Sequence, residues 1–105
     1  MPLQKEYLAE KKRYKVTFAL AEDSLPKGSN VKLVGDFNNW SLDKAPNLRV
    51  SQGQYKVYYE LKAGQPYEYR YMVDNKVWHN DPHADGYKPS PYLNIDNCVV
   101  NLPMK

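Results

Sequence analysis

Two tryptophans, Trp40 and Trp78, are the side chains of this sequence best suited to recognition chemistry. Trp40 closes the run Gly35-Asp36-Phe37-Asn38-Asn39-Trp40, and Trp78 stands in Val77-Trp78-His79-Asn80-Asp81-Pro82. An indole presents a wide apolar face. A pyranose ring has a C–H face that can be buried against it and a rim of hydroxyls that needs donors and acceptors. Arg70 supplies up to five donors in a fixed fork, and asparagines supply both donor and acceptor. Two indoles set at an angle follow a curved chain such as an α-1,4-glucan, whereas a flat pair suits a straight chain such as cellulose. Burying roughly 100 Å² of apolar area per stacked ring is worth about 2–3 kcal/mol at ~25 cal/mol/Å². After the cost of association, micromolar to millimolar affinities are expected. The competing reading makes both Phe37 and Trp40 core residues, since Trp is highly buried on average. The two-faced reading has Phe37 anchoring the turn in the core and Trp40 standing at its rim.

Strands must carry these residues. Val16, Phe18 and Leu20 alternate with Lys15, Thr17 and Ala19 over 14–20, a period of two. Residues 30–35 form a second strand ending at Gly35, where glycine is expected to supply a backbone conformation that a β-carbon would forbid. Asn38 and Asn39 suit the turn that follows. A short strand at 47–50, an alternating strand at 54–61 and a Tyr67, Tyr69, Tyr71, Val73 strand come next. Residues 77–79 return, and 97–102 close the set. Residues 80–92 hold three prolines, two aspartates and a glycine and read as an irregular loop, of a length that is uncommon unless it binds something. Residues 1–13 can be a short helix, a disordered tail or an arm, with an arm laid along the sheet preferred. About seven short strands and no secure helix predict an all-β, immunoglobulin-like sandwich over 14–103.

One hairpin decides what the outer face presents. A three-residue loop, Asp74 to Lys76, sets Val73 opposite Val77 and Met72 opposite Trp78, so that both valines face the core and Arg70, Met72 and Trp78 share the outer face. A two-residue loop sets Tyr71 opposite Trp78 and buries the indole. The first register is preferred because it buries Val77.

Composition narrows the classes. The chain of 105 residues fits one domain. Its ten tyrosines against two phenylalanines suit a half-exposed sheet, because Tyr has an apolar body and a wet tip. The net charge of +3 is too diffuse to argue for nucleic acid, although Trp40, Trp78 and Tyr58 on a sheet can in principle stack bases. Cys98 is the only cysteine, which excludes an internal disulfide and a thiolate cluster, and its apolar neighbours favour a packing role. No secretory h-region and no membrane-length apolar run occur, so the cytoplasm is the expected compartment. His79, Asp81, His83 and Asp85 can be drawn as a metal or acid–base group, but such residues in Pro-rich loops mostly make local turns. Paired carboxylates for glycoside hydrolysis need a deep cleft, and no serine sits in a nucleophile elbow.

Four segments together carry a resemblance. Gly35 to Trp40, Tyr67-Glu68-Tyr69-Arg70-Tyr71-Met72-Val73-Asp74, Trp78-His79-Asn80-Asp81-Pro82 and Asp96-Asn97-Cys98-Val99-Val100 occur in that order. The set resembles carbohydrate-binding module family 48, the early-set domain of isoamylases and branching enzymes. It is similar to the glycogen-binding domain of the AMP-activated protein kinase β subunit and to small stand-alone bacterial early-set proteins. The resemblance runs from about Tyr14 to Leu102. It implies an α-glucan ligand (glycogen or starch type), no metal, no cofactor and no catalysis. It assigns the two stacking rings to Trp40 and Trp78, and the basic contact to Arg70, where that family often has Lys. The loop before the last strand implies further contacts, with Leu93 or Tyr92 in the part of a leucine that enters a ring-shaped sugar and Asn94 or Asn97 as hydrogen-bonding partners. The alternative implied by the same family is an early-set scaffold, or an interaction module accessory to a glycogen- or starch-active enzyme, without useful sugar affinity.

Overall fold

The computed structural model describes residues 3–89 and 96–105. The chain folds as an immunoglobulin-like sandwich of two antiparallel sheets. The strands are β1 (Gln4–Leu8), β2 (Arg13–Ala21), β3 (Val31–Gly35), β4 (Arg49–Ser51), β5 (Gln54–Lys62), β6 (Gln65–Val73), β7 (Val77–His79), β8 (Gly86–Pro89) and β9 (Asp96–Leu102). One sheet has the order β1-β2-β5-β4, the other β3-β6-β9-β8, with β7 also paired to β6. Along one flank of β6, β9 pairs the first half (Gln65 to Tyr69) and β7 the second (Tyr71 to Val73). No helix among the described residues is long and apolar enough to cross a membrane.

Period-two patterning builds the core. Tyr14, Val16, Phe18 and Leu20 of β2 meet Tyr67, Tyr69 and Tyr71 of β6, with Val31, Leu33, Tyr55, Leu61, Cys98, Val100 and Leu102 filling the space between the sheets. At Tyr14, Tyr55 and Tyr67 tyrosine serves because its hydroxyl can reach a partner at the edge of the core, whereas the buried Tyr71 hydroxyl has none among the described residues. Tyr14 donates to the Pro103 carbonyl at 2.7 Å, Tyr67 to Lys62 at 3.0 Å and Tyr55 to Ser29 at 3.2 Å.

Two strands fall outside the expected set, which brings the number to nine among the described residues. β1 is a polar edge strand whose Tyr7 ring lies 5.0 Å from that of Tyr14. β8 lies within the Pro- and Asp-rich segment that reads as a loop, and it pairs with β9 from Gly86 opposite Val99 to Pro89 opposite Asp96. An edge strand tolerates proline because one side of its ladder makes no sheet bonds.

Candidate functional site

The turn after β3 places the first ring. Gly35 has φ −174° and ψ −168°, an extended conformation open to any residue. The expectation that a special backbone conformation calls for glycine is therefore corrected. The requirement is space, since a Cβ at this position would lie 2.5 Å from the Glu68 carbonyl oxygen and 2.9 Å from Tyr69 Cβ. The turn is tied by the Asn38 side chain, whose Oδ1 accepts from Gly35 N–H at 3.0 Å and whose Nδ2 donates to the Leu33 carbonyl at 3.0 Å. Phe37 packs inward with its ring 4.6 Å from Tyr59 and 5.6 Å from Phe18.

Asn39 and Trp40 both adopt positive φ, 57° each. That conformation is ordinary for Asn and costly for a bulky aromatic, about 1–3 kcal/mol. It persists because Trp40 N–H donates to Gly35 O at 2.9 Å while the indole Nε1–H donates to Asp36 Oδ1 at 2.9 Å. The other carboxylate oxygen of Asp36 accepts from Glu68 N–H of β6 at 2.8 Å. Trp40 thus turns to the outer face of the β3-β6-β9-β8 sheet.

The hairpin brings up the second ring. Its register is Val73 opposite Val77, Met72 opposite Trp78 and Tyr71 opposite His79, the three-residue-loop arrangement. The burial expected of Val77 is corrected: it is 60% exposed, because β7 is a three-residue edge strand at the end of the sandwich. Arg70, Met72 and Trp78 do share the outer face, but Arg70 and Met72 are not at the surface. Trp40, Leu42 and Trp78 pack with Val34, Ala45 and Met72 into a small second apolar cluster on that face. Arg70 is 1% exposed. Its Nε donates to Asn80 Oδ1 at 2.8 Å, and its Cζ lies 5.1 Å from the Trp78 ring centroid. Burial lowers the guanidinium pKa from its ordinary value. Its Nη1 is buried with no hydrogen-bond partner among the described residues.

The two indoles meet edge to face, with centroids 6.3 Å apart and planes at 65°. Both are partly buried. Asn97, on β9 beside β6, donates to Glu68 Oε1 at 3.1 Å, with Lys88 Nζ 3.7 Å from Glu68 Oε2. Tyr92, Leu93 and Asn94 lie outside the described residues. Sequence reasoning missed Asn80, which orients Arg70, and Asp36, which holds Trp40. The position of Asp36, four residues before a tryptophan within one turn, was the available signal for the second.

Asp81 and Asp85, two of the residues drawn as a metal or acid–base group, are engaged elsewhere. Asp81 is buried, accepts from the Tyr69 hydroxyl at 2.8 Å and from His83 N–H at 2.8 Å, and donates its own N–H to Cys98 Sγ at 3.2 Å. Asp85 pairs with Lys5 at 2.5 Å and accepts from Asn101 N–H at 2.8 Å. No group of three potential ligands gathers among the described residues. Burial pushes the Cys98 thiol up to about 11, which suits a packed side chain rather than a nucleophile.

Residues 25–90 match the family described as the glycogen recognition site of AMP-activated protein kinase. The match contains the Gly35–Trp40 turn, Arg70 and Trp78. No curated protein matches the chain in sequence.

Proposed function

The chain belongs to the family of the glycogen recognition site of AMP-activated protein kinase, and on that ground we propose that it is a non-catalytic, cytoplasmic module that binds α-1,4-glucan on the outer face of the β3-β6-β9-β8 sheet. The observation that supports this reading is the angled pair of Trp40 and Trp78, neither of them fully buried. An angle of 65° suits the curvature of an α-linked chain better than the flat run of a β-linked one. Arg70 and Asn80 form the polar floor beneath the rings, and Asn97 lies within reach of the hydroxyl rim. The family resemblance adds Tyr92, Leu93 and Asn94 to the proposed contacts.

Arg70 is buried and cannot meet a sugar unless the rings above it shift. Its proposed part is to hold Trp78 by charge on the ring face, an interaction worth about 0.5–2 kcal/mol depending on desolvation. The sugar-facing polar work then falls to Asn97 and Asn94.

The packing of both rings on Met72, Ala45 and Val34 favours a second reading. In it the domain is an early-set scaffold that contacts a glycogen- or starch-active enzyme and has no useful sugar affinity. Titration of intrinsic tryptophan fluorescence separates the two readings, since Trp40 and Trp78 are the only tryptophans. A saturable change with β-cyclodextrin and maltoheptaose and none with cellohexaose is expected. A flat response to α-linked sugars at millimolar concentration overturns glucan binding in favour of the scaffold.

A further inference from the structure

We infer that Asp36 is the positioning residue of the Trp40 indole, and that Trp40 therefore offers a ligand its ring and not its N–H. The inference rests on the glucan-binding reading for its functional consequence and on geometry for its substance.

Asp36 uses its two oxygens on two different elements. Oδ1 takes the Trp40 indole N–H at 2.9 Å, and Oδ2 takes the Glu68 backbone N–H at 2.8 Å. Glu68 lies two residues before Arg70 on β6, so one carboxylate ties the first ring to the strand that carries the floor of the second. The bonds are charge-assisted, and such bonds are stronger and more directional than neutral ones. They also act against a cost. Trp40 occupies a positive φ of 57°, and a bulky residue stays there only where its surroundings over-determine it. The backbone bond to Gly35 O fixes the main chain, and Asp36 fixes the ring.

An indole has one polar hydrogen and no acceptor. With that hydrogen spent on Asp36, Trp40 has no donor left for a sugar hydroxyl. Its contribution is stacking alone, which tolerates sliding along a chain of like sugars. Directional recognition then has to come from Asn97 and its neighbours.

The test is proton exchange at two nitrogens in the full chain, followed by ¹H–¹⁵N NMR with the Trp40 indole assigned through Trp78→Phe. In the wild-type protein both Trp40 Nε1–H and Glu68 N–H are expected to be protected. Asp36→Ala is expected to release both. Asp36→Asn retains only one acceptor oxygen and is expected to release one of the two. The β-cyclodextrin dissociation constant is expected to rise about tenfold in Asp36→Ala, and backbone amides of β2 and β5 should be unmoved. In the sugar-bound wild type the Trp40 indole should remain protected.

Exchange of the wild-type Trp40 indole at the rate of a free indole overturns the inference without any variant. Unchanged protection in Asp36→Asn and Asp36→Ala overturns it as well, and so does unchanged sugar affinity in a folded Asp36→Ala whose indole is released. If the wild type binds no α-glucan but its indole is protected and the variants release it, the positioning role stands and the glucan reading falls.

Discussion

The rings of Trp40 and Trp78 meet edge to face, 6.3 Å apart and at 65°. They come from different elements, the turn after β3 and the strand β7, and each is part of the support of the other. In the glucan-binding reading, loss of either ring removes its own stacking area and frees its neighbour to tilt. Trp40→Ala and Trp78→Ala are each expected to weaken β-cyclodextrin binding by about 30-fold or more, from roughly 2–3 kcal/mol per ring. The double variant should lose markedly less than the product of the two, because contacting residues couple by about 0.5–3 kcal/mol. Calorimetric titration of the four proteins measures the coupling, and strictly multiplicative losses would show that the rings act independently.

Arg70 is a buried cation with no carboxylate paired to it among the described residues. Its desolvation is the cause of its lowered pKa. A buried charge replaced by an apolar side chain of similar length is often neutral or stabilising. Arg70→Met is therefore expected to keep the melting temperature within about 5 °C of wild type, a shift that corresponds to ~1 kcal/mol in a domain of this size. Arg70→Ala leaves a cavity beneath Trp78 and should cost about 2–4 kcal/mol. Thermal melts decide between them. A Met variant as damaged as the Ala variant would show that the charge itself, through Trp78 and Asn80, holds the face together.

What could be read from the sequence followed from patterns of two residues or of three. Alternation in β2, β5 and β6 identified the core, and a loop of three residues fixed the Met72–Trp78 register. The reason given for that register was wrong, since Val77 is exposed: alternation tells which face a side chain is on but not how far the opposite sheet reaches. β8 escaped, and β1 was legible only as an arm laid along the sheet, because edge strands carry half a core pattern or none. The burial of Arg70 was invisible for a different reason. Its neighbours there are Trp78 and Asn80, which a turn and a separate strand bring over β6 only in the fold. Asp36 was legible as part of a motif but not as the holder of Trp40, because the geometry depends on a positive φ at the tryptophan itself.

Gly35 gives a test of packing against conformation. Its φ is ordinary, yet a Cβ there would meet the Glu68 carbonyl oxygen at 2.5 Å, Tyr69 Cβ at 2.9 Å and Phe37 Cζ at 3.0 Å. Two of these neighbours are held by the sheet and cannot retreat. Gly35→Ala is expected to destabilise by about 1–3 kcal/mol through overpacking, seen as a lower urea midpoint. At Gly53, where φ is 78° and nothing lies within 4 Å, Ala should act through backbone strain alone. Pairing Gly35→Ala with Phe37→Leu, which removes one of the three contacts, should recover only part of the loss. Full recovery would place the strain on the flexible ring rather than on β6.

Alkali should destabilise the fold through groups buried in its core. Burial pushes the Cys98 thiol up from 9.0 to about 11. Tyr69 and Tyr71 are likewise raised above 10.0, by burial first and then by the charge of Asp81. In each case the native state favours the protonated form. As pH rises from about 9 to about 11 the unfolded chain gives up a thiol proton that the folded chain keeps, so unfolding becomes progressively easier. The stabilisation is whole below about pH 9 and is lost through the folded pKa, an effect of order 2–3 kcal/mol for the thiol at 1.36 kcal/mol per unit. Urea unfolding at pH 8 and near pH 10.5 reads the difference directly. Cys98→Ala is less stable at both values, since Asp81 N–H loses the sulfur 3.2 Å away, but its decline between them should be shallower than in wild type. An equal decline in the two proteins would assign the alkaline transition to the tyrosines alone. A thiol reagent should modify Cys98 only at the rate at which the sandwich opens, because the sulfur is fully buried between the sheets.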